Sequence, residues 1–152
     1  MHSHYSARFR ILHNCADQRM NSALAQMDLT AAQGRIVGYI ARSKEPPCAR
    51  DLEEFFRLSH PTVSGLLSRL EKKEFLEFRP DPDDRRCKRI YLLPKGVQCH
   101  ERIIQTILEM EQTVVQGFSQ EEEALFSRLL DRVICNLGGN ICYRPIKEES
   151  DK

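Results

Sequence analysis

Arg79 to Leu93 reads RPDPDDRRCKRIYLL. Arginines and aspartates are crowded into one short turn, ahead of a clean apolar alternation. Leu76 and Phe78 alternate with charged residues before it, and Ile90 and Leu92 alternate after it. Period-two patterning on both sides of a turn predicts a β-hairpin with this stretch at its tip. Pro82, with Asp81 and Asp83 on either side, supplies turn chemistry.

The preceding stretch, RLSHPTVSGLLSRLEKKEFLEF, runs from Arg57 to Phe78. Ser59 is a good N-cap, and Pro61 is tolerated because it falls in the first turn. Val63, Leu66, Leu67 and Leu70 then form one apolar stripe. Thr62, Ser64, Gly65, Ser68 and Arg69 lie opposite, all small or hydrogen-bonding. A shorter helix, Ala49 to Phe56, precedes it, with Leu52, Phe55 and Phe56 assigned to one face. Two short helices joined by about three residues describe a helix-turn-helix. Alone, they equally describe a helical hairpin in a bundle. The basic β-hairpin that follows decides the matter: helix-turn-helix plus hairpin is a winged helix.

The rest reads as helix. From Tyr5 to Met27, apolar residues recur in steps of three and four (Phe9, Leu12, Ala16, Met20, Ala23, Met27), the spacing of an amphipathic helix. In LTAAQ, Thr30 caps a second helix and Gln33 reaches back to complete a capping box. Ile36, Val37 and Ile40 continue its buried face. Pro94 suits an early helical position, and a long apolar face follows from Val97 to Phe118. In FSQEE, Ser119 caps and Glu122 completes a second box, and Gly138-Gly139 ends that last helix. The fold class is mainly α with a small β-hairpin. Its predicted organisation is an N-terminal dimerisation helix (1–28), a winged helix-turn-helix lobe (29–96), C-terminal dimerisation helices (97–140) and a tail (141–152).

The chain has 152 residues, enough for one compact subunit, and a net charge of only +1. That charge is unevenly spread. Residues 57–96 hold ten Lys/Arg against six Asp/Glu, a net +4, whereas 97–152 hold six against ten, a net −4. This asymmetry fits an anion-binding module on an acidic scaffold. No run of 18 apolar residues exists and the N-terminus lacks an apolar signal core, so a cytosolic protein without membrane contact is expected. The six cysteines form no C-x-x-C pair and are expected as free thiols. No phosphate loop or metalloprotease or hydrolase motif is present, so neither an enzyme nor a cofactor is expected.

With these elements in order, the chain resembles the MarR family of bacterial transcription regulators from about Phe9 to Leu137. The resemblance rests on LTAAQ, TVSGLLSRLEKKEFL, RPDPDDRRCKRIYLLPKG and the final FSQEEE…LL helix. It implies a homodimer on double-stranded DNA whose terminal helices interlock across a two-fold axis. One recognition helix per lobe would enter the major groove and each wing tip the flanking minor groove, on a pseudo-palindromic site. The sequence departs from the family pattern at Glu74, where Gly is usual, at Cys48 and Leu93, where capping hydroxyls are common, and at Gly65, often Arg or Lys.

The implied DNA contacts are the Ser59, Thr62, Ser64 and Ser68 hydroxyls with the helix N-terminus on phosphates, and Pro61 and Thr62 on thymine methyls. Gly65 removes a direct base contact. His60 is a phosphate donor or an exposed spectator, and Arg69 a phosphate clamp or part of a solvated face. The resemblance assigns Arg86 to the minor groove, aimed by Asp84 through a bidentate pair. Arg79, Arg85 and Arg89 are second-line backbone contacts, or strand-edge charges that guard the hairpin. Lys72 and Lys73 are read as solvated.

The resemblance implies regulation by a small aromatic or anionic effector, with His13, Arg19 and Arg35 as polar candidates. Cys15 invites a peroxide-sensing reading, although a buried inert thiol is the plainer one, and Cys87 is read as exposed and modifiable beside the wing. Cys99, His100 and Glu101 offer metal ligands, but adjacent helical residues point to different faces, so no metal is assigned. The alternative from another class is a helical interaction protein that binds no DNA.

Overall fold

The structure, a computed structural model, describes residues 4–82, 84 and 87–139. Its elements run α1 (Tyr5–Ala25), α2 (Ala31–Arg42), α3 (Ala49–Phe56), α4 (His60–Lys72), β1 (Leu76–Pro80), β2 (Lys88–Leu92), α5 (Pro94–Val114) and α6 (Gln120–Asn136). The chain divides into two compact units, Met1–Ile107 and Leu108–Lys152.

The first unit holds the core. Leu24, Ile36, Val37, Leu52, Val63, Leu67, Leu70, Phe75, Leu76 and Ile90 pack together from α1, α2, α3, α4, the turn after α4 and both strands. The predicted α4 stripe is largely realised: Val63, Leu67 and Leu70 are buried and Leu66 is half-buried. Truncating Leu67 or Leu70 to Ala would cost about 2–5 kcal/mol. The strands pair antiparallel with Leu76 opposite Leu92 and Phe78 opposite Ile90. The apolar alternation therefore faces the core, and Glu77, Arg79, Arg89 and Tyr91 share the other face.

Local signals set the helix ends. The Thr30–Gln33 box is formed: the Thr30 N–H donates to Gln33 Oε1 (3.0 Å) and the Gln33 N–H to Thr30 Oγ1 (3.3 Å). Cys48 opens α3 without the usual hydroxyl. Asp51 offsets this, its carboxylate accepting from the Cys48 N–H at 2.7 Å. Ser59 stands at the N-cap of α4, but its hydroxyl makes no cap bond and instead pairs with the Thr62 hydroxyl at 2.9 Å.

Past α4, Glu74 adopts φ 62°, the left-handed conformation that glycine favours. The Phe75 N–H reaches the Leu70 carbonyl (3.0 Å) and the Glu74 N–H the Glu71 carbonyl (2.9 Å). That is a Schellman motif. Buried Phe75 and Leu70 supply its apolar contact and hold the turn despite the Glu74 Cβ. Close packing continues at Gly96, where an added Cβ would lie 2.1 Å from the Phe75 carbonyl oxygen. The α5 start therefore lies on the turn between α4 and β1.

Phe55 departs from expectation. It is 64% exposed, whereas Leu52 is fully buried. It joins Tyr39 (centroids 4.5 Å apart) and Phe56 (4.9 Å) in an aromatic cluster beside the core. On α1 only Ala23 and Leu24 are buried, whereas Tyr5, Ile11 and Leu12 are more than half exposed.

In the second unit, the Ser119 N–H donates to Glu122 Oε2 (2.8 Å) and the Glu122 N–H to Ser119 Oγ (3.3 Å), the predicted box. The Ser119 N–H and hydroxyl hold the Glu122 carboxyl below its usual range. Phe118 packs edge-on against Phe126, and Gly138 ends the helix at φ 78°. Leu125, Leu129 and Leu130 remain exposed.

Candidate nucleic-acid interface

Helix α4 presents a polar face away from the core stripe. Pro61, Thr62, Ser64, Gly65 and Arg69 are exposed and Ser68 is half-buried. No atom comes within 4 Å of a Cβ built at Gly65, so the face is open there. The turn into α4 places Arg57 at φ 52°. His60, at the head of the helix, pairs through Nδ1 with Glu53 Oε1 of α3 at 2.6 Å. It therefore ties the two helices together, a partner the sequence did not reveal. Lys73 also departs from the solvated reading: its ammonium meets Asp28 Oδ2 at 2.8 Å and donates to the Asp28 carbonyl. That ammonium holds the Asp28 carboxyl below its ordinary value.

The wing is anchored by groups given other roles in the sequence reading. Asp81, expected as an exposed turn residue, is 5% exposed. Its Oδ2 accepts from Arg89 Nε at 2.5 Å, and Arg89 Nη1 donates to the Pro46 carbonyl at 3.2 Å. Arg89 is thus a half-buried clamp, not a free second-line DNA contact. The bond to Asp81 and its negative charge raise the guanidinium above its ordinary value despite burial. The Ile90 N–H bonds the Pro47 carbonyl at 2.8 Å, fixing β2 to the segment ahead of α3.

Arg79 stands opposite Arg89 in the register. Like charges in direct opposition repel, and each arginine has its own counter-group. Arg79 pairs with Glu77 (Nε to Oε1, 2.7 Å) and lies over the Tyr91 ring at 4.4 Å, its guanidinium still exposed. The exposed Lys88, the first residue of β2, is a further cation that the sequence reading did not single out. Its place at the start of an alternating strand was the available signal.

At the tip, Asp84 is exposed. Its N–H donates to Asp81 Oδ1 (3.3 Å) and its carbonyl accepts from the Cys87 N–H (2.9 Å). Arg85 and Arg86 lie outside the described residues, and with them the Asp84–Arg86 pair.

The effector and sensor candidates are scattered. His13 pairs with Asp17 at 3.1 Å on exposed α1, and Arg19 and Arg35 are exposed. A shallow hollow on α1, lined by Asn14, Asp17, Gln18, Asn21, Ser22 and Ala25, includes none of the three. Cys15 is exposed, which corrects the reading of a buried thiol, because the first turns of α1 extend beyond the core. Cys87 is half-buried rather than exposed, and burial together with the adjacent Cys48 thiol pushes its own thiol up. Among the described residues no cluster of three or more metal-ligating side chains occurs, and no helix is long and apolar enough to cross a membrane.

A helix-turn-helix with an open polar recognition face, followed by an anchored basic hairpin, defines a winged-helix DNA-binding lobe. The sequence profile described as MarR family matches residues 27–86, which spans α2 through the wing tip. The Bacillus subtilis HTH-type transcriptional regulator YsmB is 39% identical over 77 residues, covering 48% of this chain and 50% of that protein. A Clostridium acetobutylicum structure described as a MarR family transcriptional regulator is 30% identical, covers 87% of this chain and 97% of its own, and superposes with TM-score 0.75. MepR of Staphylococcus aureus, in a crystal structure of its DNA complex, is 31% identical over 88% of this chain and 99% of its own, with TM-score 0.78. The chain belongs to the MarR family of DNA-binding transcription regulators.

Proposed function

We propose that the protein is a homodimeric repressor on a pseudo-palindromic operator, relieved by a small aromatic or anionic effector. The observation that carries this reading is the α4 face: Pro61, Thr62, Ser64 and Gly65 stand exposed at the head of a helix whose other side is locked into the core. Helix N-terminal amides and hydroxyls fit phosphates, and a small-residue face lets the helix lie deep in the major groove. MepR, similar along most of its length, has been crystallised with DNA and regulates the multidrug efflux pump MepA. Residues 1–28 and 97–140 serve as dimerisation segments around the 29–96 lobe. The exposed Ile11 and Leu12 of α1, and Leu125, Leu129 and Leu130 of α6, suit that role. The wing delivers Arg86 to the minor groove, with Asp84 aiming it.

Gel shifts on the DNA upstream of the protein's own gene test the reading. Salt-sensitive binding that Arg86→Ala weakens strongly, in a dimer that remains folded, is the expected result. Asp84→Ala should also weaken binding although it makes the wing more positive; a simple electrostatic patch gives the opposite sign. Absence of salt-sensitive binding to any such fragment would favour a helical interaction protein instead.

A further inference from the structure

Two cysteines far apart in sequence meet at the root of the wing. Cys48 is the N-cap residue of α3, and Cys87 immediately precedes β2. The backbone brings them together: the Ile90 N–H bonds the Pro47 carbonyl at 2.8 Å, and Arg89 bonds the Pro46 carbonyl at 3.2 Å. The two thiols are neighbours at this junction, and the Arg89 guanidinium acts on both. Both cysteines are free and half-buried, so a small oxidant can reach them.

We infer that Cys48 and Cys87 are a built dithiol site that closes to an intramolecular disulfide and alters the wing. The oxidant is a hydroperoxide. A thiolate attacks the peroxide oxygen, the O–O bond breaks, and an alcohol or water leaves as a sulfenic acid forms. The second thiol attacks that sulfur, the S–O bond breaks, and water leaves as the S–S bond forms. Two electrons pass from the two sulfurs to the peroxide. Cys48, the N-cap residue of α3, takes the first step and Cys87 resolves.

Closure is transmitted by the backbone. Bonded sulfurs sit about 2.05 Å apart, well inside any contact between free thiols. Drawing Cys87 inward strains the two bonds it makes at the hairpin tip, its carbonyl to the Asp81 N–H (3.0 Å) and its N–H to the Asp84 carbonyl (2.9 Å). The consequence for DNA rests on the reading above; the pairing itself does not.

The test treats the full-length protein with hydrogen peroxide and maps its cysteines by non-reducing peptide mass spectrometry. A Cys48–Cys87 linked peptide that dithiothreitol reverses is expected, absent from C48S and C87S. In C87S, dimedone should label a sulfenic acid at Cys48. Serine is a favourable N-cap, so C48S should fold. Operator affinity of the oxidised protein is expected to fall severalfold, with no fall in C48S. Peroxide that instead links Cys15 or Cys135 between subunits, or over-oxidises Cys87 while Cys48 stays reduced, overturns the site. Linkage with unchanged DNA affinity overturns the switch. Linkage in a protein that binds no DNA in either state leaves the site standing and removes the DNA reading.

Discussion

Arg89 and Asp81 are joined at the base of the wing, Nε to Oδ2 at 2.5 Å, with Asp81 almost fully buried. The same guanidinium reaches back to the Pro46 carbonyl, so one side chain ties the hairpin to the start of the helix-turn-helix. Asp81→Asn keeps the shape but removes the charge, leaving a half-buried guanidinium without its ionic partner. The expected outcome is a loosened wing on an intact lobe. Amide exchange across 76–92 should speed up by about an order of magnitude while α2 and α4 keep their protection. DNA affinity should fall in parallel. Unchanged exchange in the wing would show that the apolar face alone holds it.

Glu74 carries a backbone strain that can be relieved. A left-handed conformation costs an L-residue about 1–2 kcal/mol, and glycine avoids most of that at the price of a freer unfolded chain. Glu74→Gly is therefore expected to stabilise the protein by about 0.5–1 kcal/mol, read as a higher urea midpoint at constant slope. A lower midpoint would mean that the Glu74 side chain contributes more than its backbone costs.

The two capping boxes and the stripe on α4 were legible because their partners lie within one or two helical turns. Thr30 and Gln33 need nothing beyond their own helix. The wing was legible from its alternation, since a period of two fixes which residues share a face. The clamp was not. Nothing around Asp81 marks it as buried, because its burial depends on Pro46 and Arg89 arriving from elsewhere. Lys73 with Asp28, and Cys48 with Cys87, are hidden in the same way. Phe55 misled for a related reason: an eight-residue helix has few positions to define a buried face, and a satellite aromatic cluster took that ring.

Cys99 gives the protein a distinct alkaline signature. It is 2% exposed, and burial pushes its thiol up to about 11. The folded state therefore keeps a proton that the unfolded chain, with its ordinary value of 9.0, releases. With the folded value raised, the contribution is complete below the unfolded pKa and is lost as pH rises through that of the folded state. It is on the order of 2–3 kcal/mol. Urea midpoints measured from pH 8 to 11 should fall more steeply for the native sequence than for Cys99→Ala, which lacks the titrating group. Parallel slopes would show that Cys99 does not titrate differently in the two states.

Gly65 offers the most direct test of how α4 reads DNA. It sits mid-helix on the exposed face with open space around its Cβ position. Gly65→Ala should stabilise the protein by about 0.5–1 kcal/mol through helix propensity alone. Gly65→Arg should fold equally well, because nothing blocks the longer side chain. It should also add a cation that can bridge guanine O6 and N7 in the major groove. The two variants separate stability from recognition. Both should raise the melting temperature, but only the arginine should change which operator variants bind, favouring guanine at one position per half-site. If Gly65→Arg binds every variant with the ranking of the unaltered protein, position 65 does not face base edges, and α4 enters the groove by another face or not at all.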